Sequence, residues 1–316
     1  MDKPGPAAFH SKSTADSPAT ADDNESGSAV RSEPNASSTT DDRDLVFDAS
    51  DPEVERERIC SFLQRRVEHA TADGVVVNLS GGLDSTVTAA LAVEALGAGS
   101  VYGLILPCNK VGAPHARDAE ALADALGIEY DTVHLQPLFA QFGAVAPDRF
   151  DLHGEPIRTG NAIARLRMTL AYLAANATNR LVCGTTNRSE LLLGYFTKYG
   201  DGAVDLRPIG HLYKTDVRAL AAELSVPEFV VEKAPTAGFL PGQRDTDDLG
   251  APYEAVDPIL QLGVDRGLDV EAVSDRIGGS AAEQSVDTKT VADLLGRYRS
   301  TDHKRVSPPT PDKVGR

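Results

Sequence analysis

The sequence predicts a doubly wound α/β fold, in which a mostly parallel sheet carries helices on both faces. Short apolar runs of buried-strand type alternate with longer segments whose apolar residues recur at helical spacing. A glycine-rich turn directly follows the first apolar run, where such folds pass from strand to helix. With 316 residues the chain is long enough for a large buried core.

The first predicted helix begins at Asp51 and Pro52, which suit the cap and the first turn of a helix. Four short apolar strands are predicted at residues 75–79, 101–106, 128–135 and 180–183. Helices are predicted at residues 87–96, 116–126, 162–177, 216–224, 255–264, 270–277 and 288–299. Because strands joined through helices run parallel, we expect ligands at the carboxyl ends of the strands.

The charge balance excludes several classes of protein. Acidic residues outnumber basic ones by 47 to 31, so the net charge is −16, which argues against a general binder of nucleic acid or anionic membranes. No apolar run approaches the ~18 residues of a membrane span, and no signal-peptide segment is evident. The three widely spaced cysteines form no CxxC pair. We therefore expect a cytoplasmic protein, and the acid-rich, lysine-poor composition favours a halophilic one.

The composition also divides the chain. Residues 1–44 are rich in Ser, Thr, Ala, Asp and Pro, and we expect a disordered acidic N-terminal extension there. Residues 45–316 then form one domain. Within it, residues 233–250 are long, rich in Gly and Pro, and without periodicity, which is typical of a functional lid or a disordered loop.

The glycine-rich turn, LSGGLDST at residues 79–86, predicts an anion site. Backbone N–H groups at the start of a helix bind phosphate, and adjacent glycines allow a close approach. The turn matches neither a Walker A loop nor the dinucleotide fingerprint GxGxxG. Asp84 would repel phosphate unless Mg²⁺ bridged the two, so we expect Mg²⁺ here. An ordinary strand–turn–helix cap is the structural alternative.

The run SGGLDS resembles the phosphate loop of the N-type ATP pyrophosphatases, which cleave ATP between the α- and β-phosphates and adenylate a carboxyl or carbonyl oxygen. Later segments resemble the NAD synthetase family within that superfamily, and they occur in the family's order. These segments are GNAIARLRM (160–168), GTTNRSELLLGYFTKYGDGAVD (184–205), PIGHLYKT (208–215), KAPTA (233–237) and HKR (303–305).

The resemblance implies an ATP-dependent ligase that amidates deamido-NAD to NAD through an adenylated intermediate and releases AMP and pyrophosphate. This is the last step of NAD biosynthesis. Ammonia is the expected nitrogen donor, because the residues before the synthetase body are too few for the amidase domain of glutamine-dependent relatives. Supply of that ammonia by a separate amidase subunit stays open. The resemblance also implies a homodimer, in which the helix with Asn161, Arg165 and Tyr172 is one interface element.

By the same resemblance, Asp84 and Glu190 would hold Mg²⁺ against the phosphates. The expected catalytic residues are Asp84, Lys214 and Asp201; Lys214 would pair with a phosphate, and Asp201 would bind ammonium and take its proton. The expected ATP contacts are Asn78, Leu79, Ser80, Gly81, Gly82, Leu83, Asp84, Ser85, Thr185, Lys214 and Thr236. The expected deamido-NAD contacts are Asn161, Arg165, Lys198, Asp205, His303 and Lys304.

Two other functions stay open at this stage. Another N-type ATP pyrophosphatase that modifies tRNA would need a basic RNA-binding surface, and a non-catalytic nucleotide sensor need not retain both Asp84 and Glu190. Plain structural roles also stay open: Asp84 as a helix N-cap, Glu190 as a first-turn acid and Lys214 as an exposed lysine. The resemblance is weakest at residues 107–110 and in the lid, where GQRDT replaces the GQxDE of relatives.

Overall fold

A four-stranded parallel sheet organises the described part of the chain. The computed structural model describes residues 49–108, 112–236, 242–278 and 286–311; the predicted N-terminal extension and the middle of the predicted lid lie outside these ranges. The strands, β1 (Gly74–Asn78), β2 (Val101–Ile105), β3 (Glu129–Thr132) and β4 (Arg180–Cys183), lie in the order β3-β2-β1-β4. All three pairings are parallel. The strand order reverses between β1 and β4, which makes their carboxyl ends the expected ligand crevice.

Helices surround this sheet and continue beyond it. In the described ranges they are α1 (Pro52–His69), α2 (Leu83–Leu96), α3 (Gly112–Leu126), α4 (Gln136–Val145), α5 (Pro156–Ala177), α6 (Arg188–Leu193), α7 (Lys214–Glu223), α8 (Glu228–Val231), α9 (Asp245–Leu249), α10 (Tyr253–Leu260), α11 (Val270–Gly278) and α12 (Thr288–Ser300). A π-helical turn, Gln261–Asp265, extends α10. None of these helices is both long and apolar enough to cross a membrane.

Apolar residues are buried on both faces of the sheet. On β1, Val75 and Val77 pack with α1, α2 and α7, whereas Val76 packs on the opposite face with α4 and α5. This alternation follows from the two-residue period of a strand, and it confirms the doubly wound fold. A third apolar cluster lies under α6, α10, α11 and α12 and supports the chain after the sheet.

The elements differ from the prediction in several places, and the short helices α6, α8 and α9 were not predicted. The strand predicted at 128–135 ends at Thr132, because Leu135 turns the chain into α4, which was not predicted. Pro137 is tolerated in the first turn of α4, and large apolar residues on its exposed side hide the amphipathic pattern. The helix predicted at 255–264 leaves regular α geometry after Leu260. The start of α1 is as predicted: Asp51 Oδ1 accepts a hydrogen bond from the N–H of Glu53 at 3.0 Å.

Candidate active site

A cavity of about 680 Å³ opens at the carboxyl ends of β1, β2 and β4. Its walls come from the glycine turn, from α5, from the segments that follow β4, and from the C-terminal Arg297 and Lys304. The predicted site residues that line it are Asn78, Leu79, Ser80, Gly82, Leu83, Asp84, Ser85, Asn161, Thr185, Glu190, Asp201, Lys214, Thr236 and Lys304. Residues far apart in sequence thus meet where the strand order reverses.

The glycine turn has the geometry of an anion cradle. Gly81 has φ +72°, and a Cβ at this position would lie 2.4 Å from the carbonyl oxygen of His115, so a larger residue does not fit. Ser85 Oγ donates to the carbonyl of Gly82 at 3.0 Å and lies 3.0 Å from Ser80 Oγ. The N-cap of α2 is Gly82, so the alternative role of Asp84 as the N-cap of this helix is wrong. Asp84 lies in the first turn instead.

Three charged side chains converge beside this turn. The Lys214 ammonium forms an ion pair with Asp84 and lies 3.9 Å from Glu190 Oε1. Asn187 Nδ2 donates to the other oxygen of Asp84 at 3.0 Å. Lys214 is only 3% exposed, which contradicts its reading as an exposed lysine at a helix start. One buried cation therefore serves two carboxylates.

The electrostatics of this group show an excess of negative charge. Burial raises the pKa of Glu190 well above its usual range, and the neighbouring Asp84 raises it further, while Lys214 opposes both effects. Burial alone would lower the pKa of Lys214, but the charges of Asp84 and Glu190 outweigh it and raise that pKa above its ordinary value. A second cation beside the two carboxylates would relieve the repulsion between them.

Glu190 is held by its own helix start. Its Oε2 accepts from the N–H of Asn187 at 3.3 Å, and its own N–H donates to Asn187 Oδ1 at 3.0 Å, which makes a capping box at α6. Glu190 therefore does act as a first-turn acid of α6. Because the capping box uses Oε2, Oε1 is the oxygen that lies nearer Lys214.

The fully buried Asp257 of α10 joins the starts of α6 and α7. Its carboxylate accepts from Ser189 Oγ at 2.5 Å and from both the N–H and the hydroxyl of Thr215 at 2.9 Å. Burial raises the pKa of Asp257 to about 6. Since Ser189 precedes Glu190 and Thr215 follows Lys214, this one carboxylate positions two residues of the charged group.

Asp201 lies in another corner of the cavity. Its carboxylate accepts from the N–H of Thr197 at 2.9 Å, and the Thr197 hydroxyl donates to Asn161 Oδ1 at 2.7 Å. Burial raises the pKa of Asp201, although hydrogen bonds from Thr197 and the charge of Arg167 act in the opposite direction. An acid with a raised pKa at a cavity wall is suited to proton exchange.

Three of the predicted dinucleotide contacts meet just outside the cavity lining. The Arg165 guanidinium donates to the carbonyl of Lys198 at 3.1 Å, and the Lys198 ammonium donates to the carbonyl of His303. Lys304 reaches the cavity itself and donates to the carbonyl of Gly194 at 2.7 Å. The chain thus gathers three cationic side chains and a histidine beside the cavity.

Asp205 is the remaining predicted dinucleotide contact, and its carboxylate bonds to α5 and β4. One of its oxygens accepts from the Tyr172 hydroxyl at 3.1 Å and the other from the N–H of Val182 at 2.8 Å. It does not line the cavity, and it faces α5 rather than the glycine turn.

Other cavity residues were not assigned a role from the sequence, among them Lys233, Arg167, Tyr195 and Asp245. Lys233 Nζ donates to the carbonyl of Gly81 at 3.0 Å and to Asp118 at 2.8 Å, so it braces the glycine turn. Lys233 and Arg167 lie within the segments KAPTA and GNAIARLRM, so the motifs marked them without giving a function.

The comparisons with known proteins agree with this geometry. The family model described as NAD synthase matches residues 55–308. The chain belongs to the NAD synthase family. Two relatives are named NH(3)-dependent NAD(+) synthetase. The one from Halobacterium salinarum (strain ATCC 29341 / DSM 671 / R1) is 42% identical, and the match covers 87% of this chain and 99% of the relative. The one from Methanosarcina mazei is 43% identical, and the match covers 83% of this chain and 99% of the relative.

Solved structures of NAD synthase relatives share the fold. An NMN synthetase from Francisella tularensis superposes with a TM-score of 0.71 at 33% identity, and an NH3-dependent NAD synthetase from Campylobacter jejuni with 0.68 at 30%. Each match covers 84% of this chain and 100% of the other. The predicted family, the N-type ATP pyrophosphatase fold and the prediction of an NAD-forming ligase are thereby confirmed, in preference to a tRNA-modifying enzyme or a sensor.

Proposed function

We propose that this NAD synthase family member amidates deamido-NAD with ammonia at the expense of ATP. The carboxylate oxygen of deamido-NAD attacks the α-phosphate, and pyrophosphate leaves. Ammonia then attacks the carbonyl carbon of the adenylate, and AMP leaves with formation of the amide. The observation that carries the proposal is the meeting of Asp84, Glu190 and Lys214 beside an anion-binding turn in a single cavity.

ATP fits this arrangement because the cavity offers groups that favour phosphate. The start of α2 and the backbone of the glycine turn supply N–H donors, and Lys214 supplies a point charge. Thr185 and Thr236 line the same cavity and suit contacts to ATP. Charge that develops on the phosphates in the transition state would be stabilised by these fixed groups.

Asp84 and Glu190 suit Mg²⁺ as its protein ligands. Both supply hard carboxylate oxygens, and their repulsion is only partly offset by Lys214. No cluster of three or more acidic, histidine or cysteine residues that could cage a metal ion occurs among the described residues. Mg²⁺ is usually held by one or two protein carboxylates, and water and phosphate oxygens complete its coordination. When bound, the ion would offset phosphate charge.

The cationic residues beside the cavity suit the dinucleotide. Arg165, Lys198 and Lys304 would meet its phosphates, with His303 beside them, and Asp205 would accept hydrogen bonds from a ribose. Asp201 would bind ammonium and accept the proton that the amine loses when it attacks. Asn161 is linked to this corner through Thr197.

The enzyme is proposed to work in a salt-rich cytoplasm, where ATP is present. Two observations support a dependence of the activity on salt: the net charge of −16, and the 42% identical relative from Halobacterium salinarum.

A coupled assay tests the activity. The purified chain is given ATP, Mg²⁺ and either deamido-NAD or nicotinate mononucleotide, with ammonium or glutamine, at low and at molar KCl. We expect equimolar NAD and AMP from deamido-NAD with ammonium, none with glutamine, and a higher rate at molar KCl. The mononucleotide arm follows from the NMN synthetase among the structural relatives. Amidation of the mononucleotide alone would reassign the acceptor, and no amide from a folded chain would refute the proposal.

The proposed assembly is a homodimer that forms through α4 and α5. Large apolar side chains are exposed on both helices, among them Val145 of α4 at 78% and Leu173 of α5 at 63%. Exposed apolar surface concentrated on neighbouring elements marks an interaction site. A second copy is the expected occupant, because α5 also carries Asn161 and Arg165 of the dinucleotide site.

Replacing Leu173 by glutamate is expected to shift the protein from dimer to monomer and to raise KM for deamido-NAD, since a buried unpaired charge opposes association. Light scattering after gel filtration in molar KCl, followed by kinetics, measures both effects. Phe229→Glu is the control, because Phe229 is 53% exposed on α8, which packs in the apolar cluster on the opposite face of the sheet from α4 and α5. A wild-type monomer, or dissociation by the control variant alone, would contradict the assignment.

A further inference from the structure

Both carboxylate oxygens of the buried Asp245 lie against tyrosine hydroxyls. Tyr253, the first residue of α10, donates to Oδ2 at 2.9 Å, and the hydroxyl of Tyr195, which follows α6, lies 3.1 Å from Oδ1. The N–H of Asp245 donates to the carbonyl of Pro235 at 3.0 Å. Asp245 is 3% exposed. This residue therefore joins three segments that are separate in sequence.

Asp248 completes the attachment of α9. The Tyr195 hydroxyl lies 2.6 Å from Asp248 Oδ2, and Gln243 Nε2 donates to the same oxygen at 2.8 Å. Arg297 donates to the carbonyl of Asp248 at 3.0 Å, and its guanidinium lies 5.3 Å from the ring centre of Tyr195. A phenol has one proton, so Tyr195 serves one carboxylate at a time, whereas Tyr253 is the dedicated donor to Asp245.

This attachment forms a wall of the catalytic cavity. The described parts of the wall include Tyr195, Pro235, Thr236, Gln243, Asp245 and Asp248. On the inner side, the Lys214 ammonium lies 5.5 Å from the ring centre of Tyr253. The tyrosine whose hydroxyl holds Asp245 therefore also places its ring beside the lysine of the charged group.

We propose that Asp245 is a positioning residue for the amidation: through Tyr253 and Tyr195 it holds α9 and residues 233–236 against the cavity, which keeps Thr236 at ATP and water away from the adenylate. Water that reached the adenylate would attack its carbonyl carbon, break the bond to AMP and return deamido-NAD with release of a proton. Each such event consumes one ATP and forms no NAD. This inference rests on the proposed function and adds a residue to it.

The decisive measurement is the amount of AMP formed per NAD. Asp245→Asn replaces one acceptor oxygen by a donor, and Tyr253→Phe removes one hydroxyl while keeping the ring beside Lys214. Both are expected to raise AMP per NAD at least about twofold and KM for ATP about tenfold, with a smaller change in kcat, because one hydrogen bond to a carboxylate is lost. The double variant should add little to the larger single effect, since the two residues act through one contact.

Tyr102→Phe is the matched control, because it also removes a hydrogen bond from a tyrosine to an aspartate. Neither Tyr102 nor its partner Asp131 lines the cavity. This variant should keep the wild-type KM and one AMP per NAD. If Asp245→Asn does not fold, Tyr253→Phe decides alone. A folded Tyr253→Phe variant with one AMP per NAD and an unchanged KM for ATP would overturn the inference. Failure of the wild type to form NAD would instead refute the proposed function, so the two failures are distinguishable.

Discussion

Replacing Asp84 by asparagine is expected to lower kcat/KM about 10³-fold or more while unfolding stays cooperative. The asparagine keeps the size of the side chain but removes the charge that would hold Mg²⁺ beside the glycine turn. Lys214 retains Glu190 as a partner at 3.9 Å, so the fold should tolerate the change. Initial rates over a range of Mg²⁺ concentrations, together with urea unfolding, measure the two effects separately.

Asp131→Asn is the matched control for this prediction. Asp131 is an exposed carboxylate on β3 that also accepts a hydrogen bond, from Tyr102, and it does not line the cavity. We expect its kcat/KM to stay within about twofold of the wild type, as for most surface substitutions. An Asp84→Asn enzyme that remained fully active in Mg²⁺ would show that the assignment of this metal ligand is wrong.

Replacing Lys214 by glutamine is expected to affect both activity and folding. The activity should fall about 10²- to 10³-fold, because a buried point charge near the phosphates is lost. The free energy of unfolding should fall by about 3–5 kcal/mol, because Asp84 and Glu190 then face each other without a cation. Added Mg²⁺ should raise the urea midpoint of this variant more than that of the wild type, since the ion takes up the uncompensated charge.

Lys289→Gln serves as the comparison for Lys214. Lys289 also forms an ion pair, with Asp293 on α12, but its side chain is 80% exposed. Its loss should leave the urea midpoint almost unchanged, because solvent screens an ion pair on the surface. Equal destabilisation by the two substitutions, or a Mg²⁺ response that does not differ between Lys214→Gln and the wild type, would argue against a shared site for lysine and metal.

The pattern of the chain predicts the framework of the fold because strands and long helices repeat at fixed periods. The alternation of Val75, Val76 and Val77 between two apolar clusters is a direct consequence of that period. The helix α4 escaped prediction because its apolar residues are spread over exposed as well as buried sides. Helices as short as α6, α8 and α9 contain too few turns to show a period.

The sequence predicts those site residues that lie within recognisable motifs. The glycine turn, Glu190 and Lys214 were marked, and the structure brings them to one cavity. No pattern in the sequence indicates that Lys214 pairs with Asp84, which lies 130 positions earlier. The sequence also does not distinguish the buried Asp257 from a solvated acid on a helix surface. Such roles depend on long-range packing, and the assigned functions of the marked residues stay predictions until variants are measured.

The hydrogen bonds of Asp257 have a consequence for a newly synthesised chain. Its partners Ser189 and Thr215 precede it by 68 and 42 positions, so both leave the ribosome well before it does. The four strands are complete once β4 has emerged, but α7, which covers one face of the sheet, comes later in the chain. The starts of α6 and α7 are already joined by the hydrogen bond from the Lys214 N–H to Ser189 Oγ at 3.0 Å, and Asp257 adds its own hydrogen bonds to both once α10 has docked. A nascent chain therefore completes the support of Glu190 and Lys214 only after residue 257 has left the ribosome.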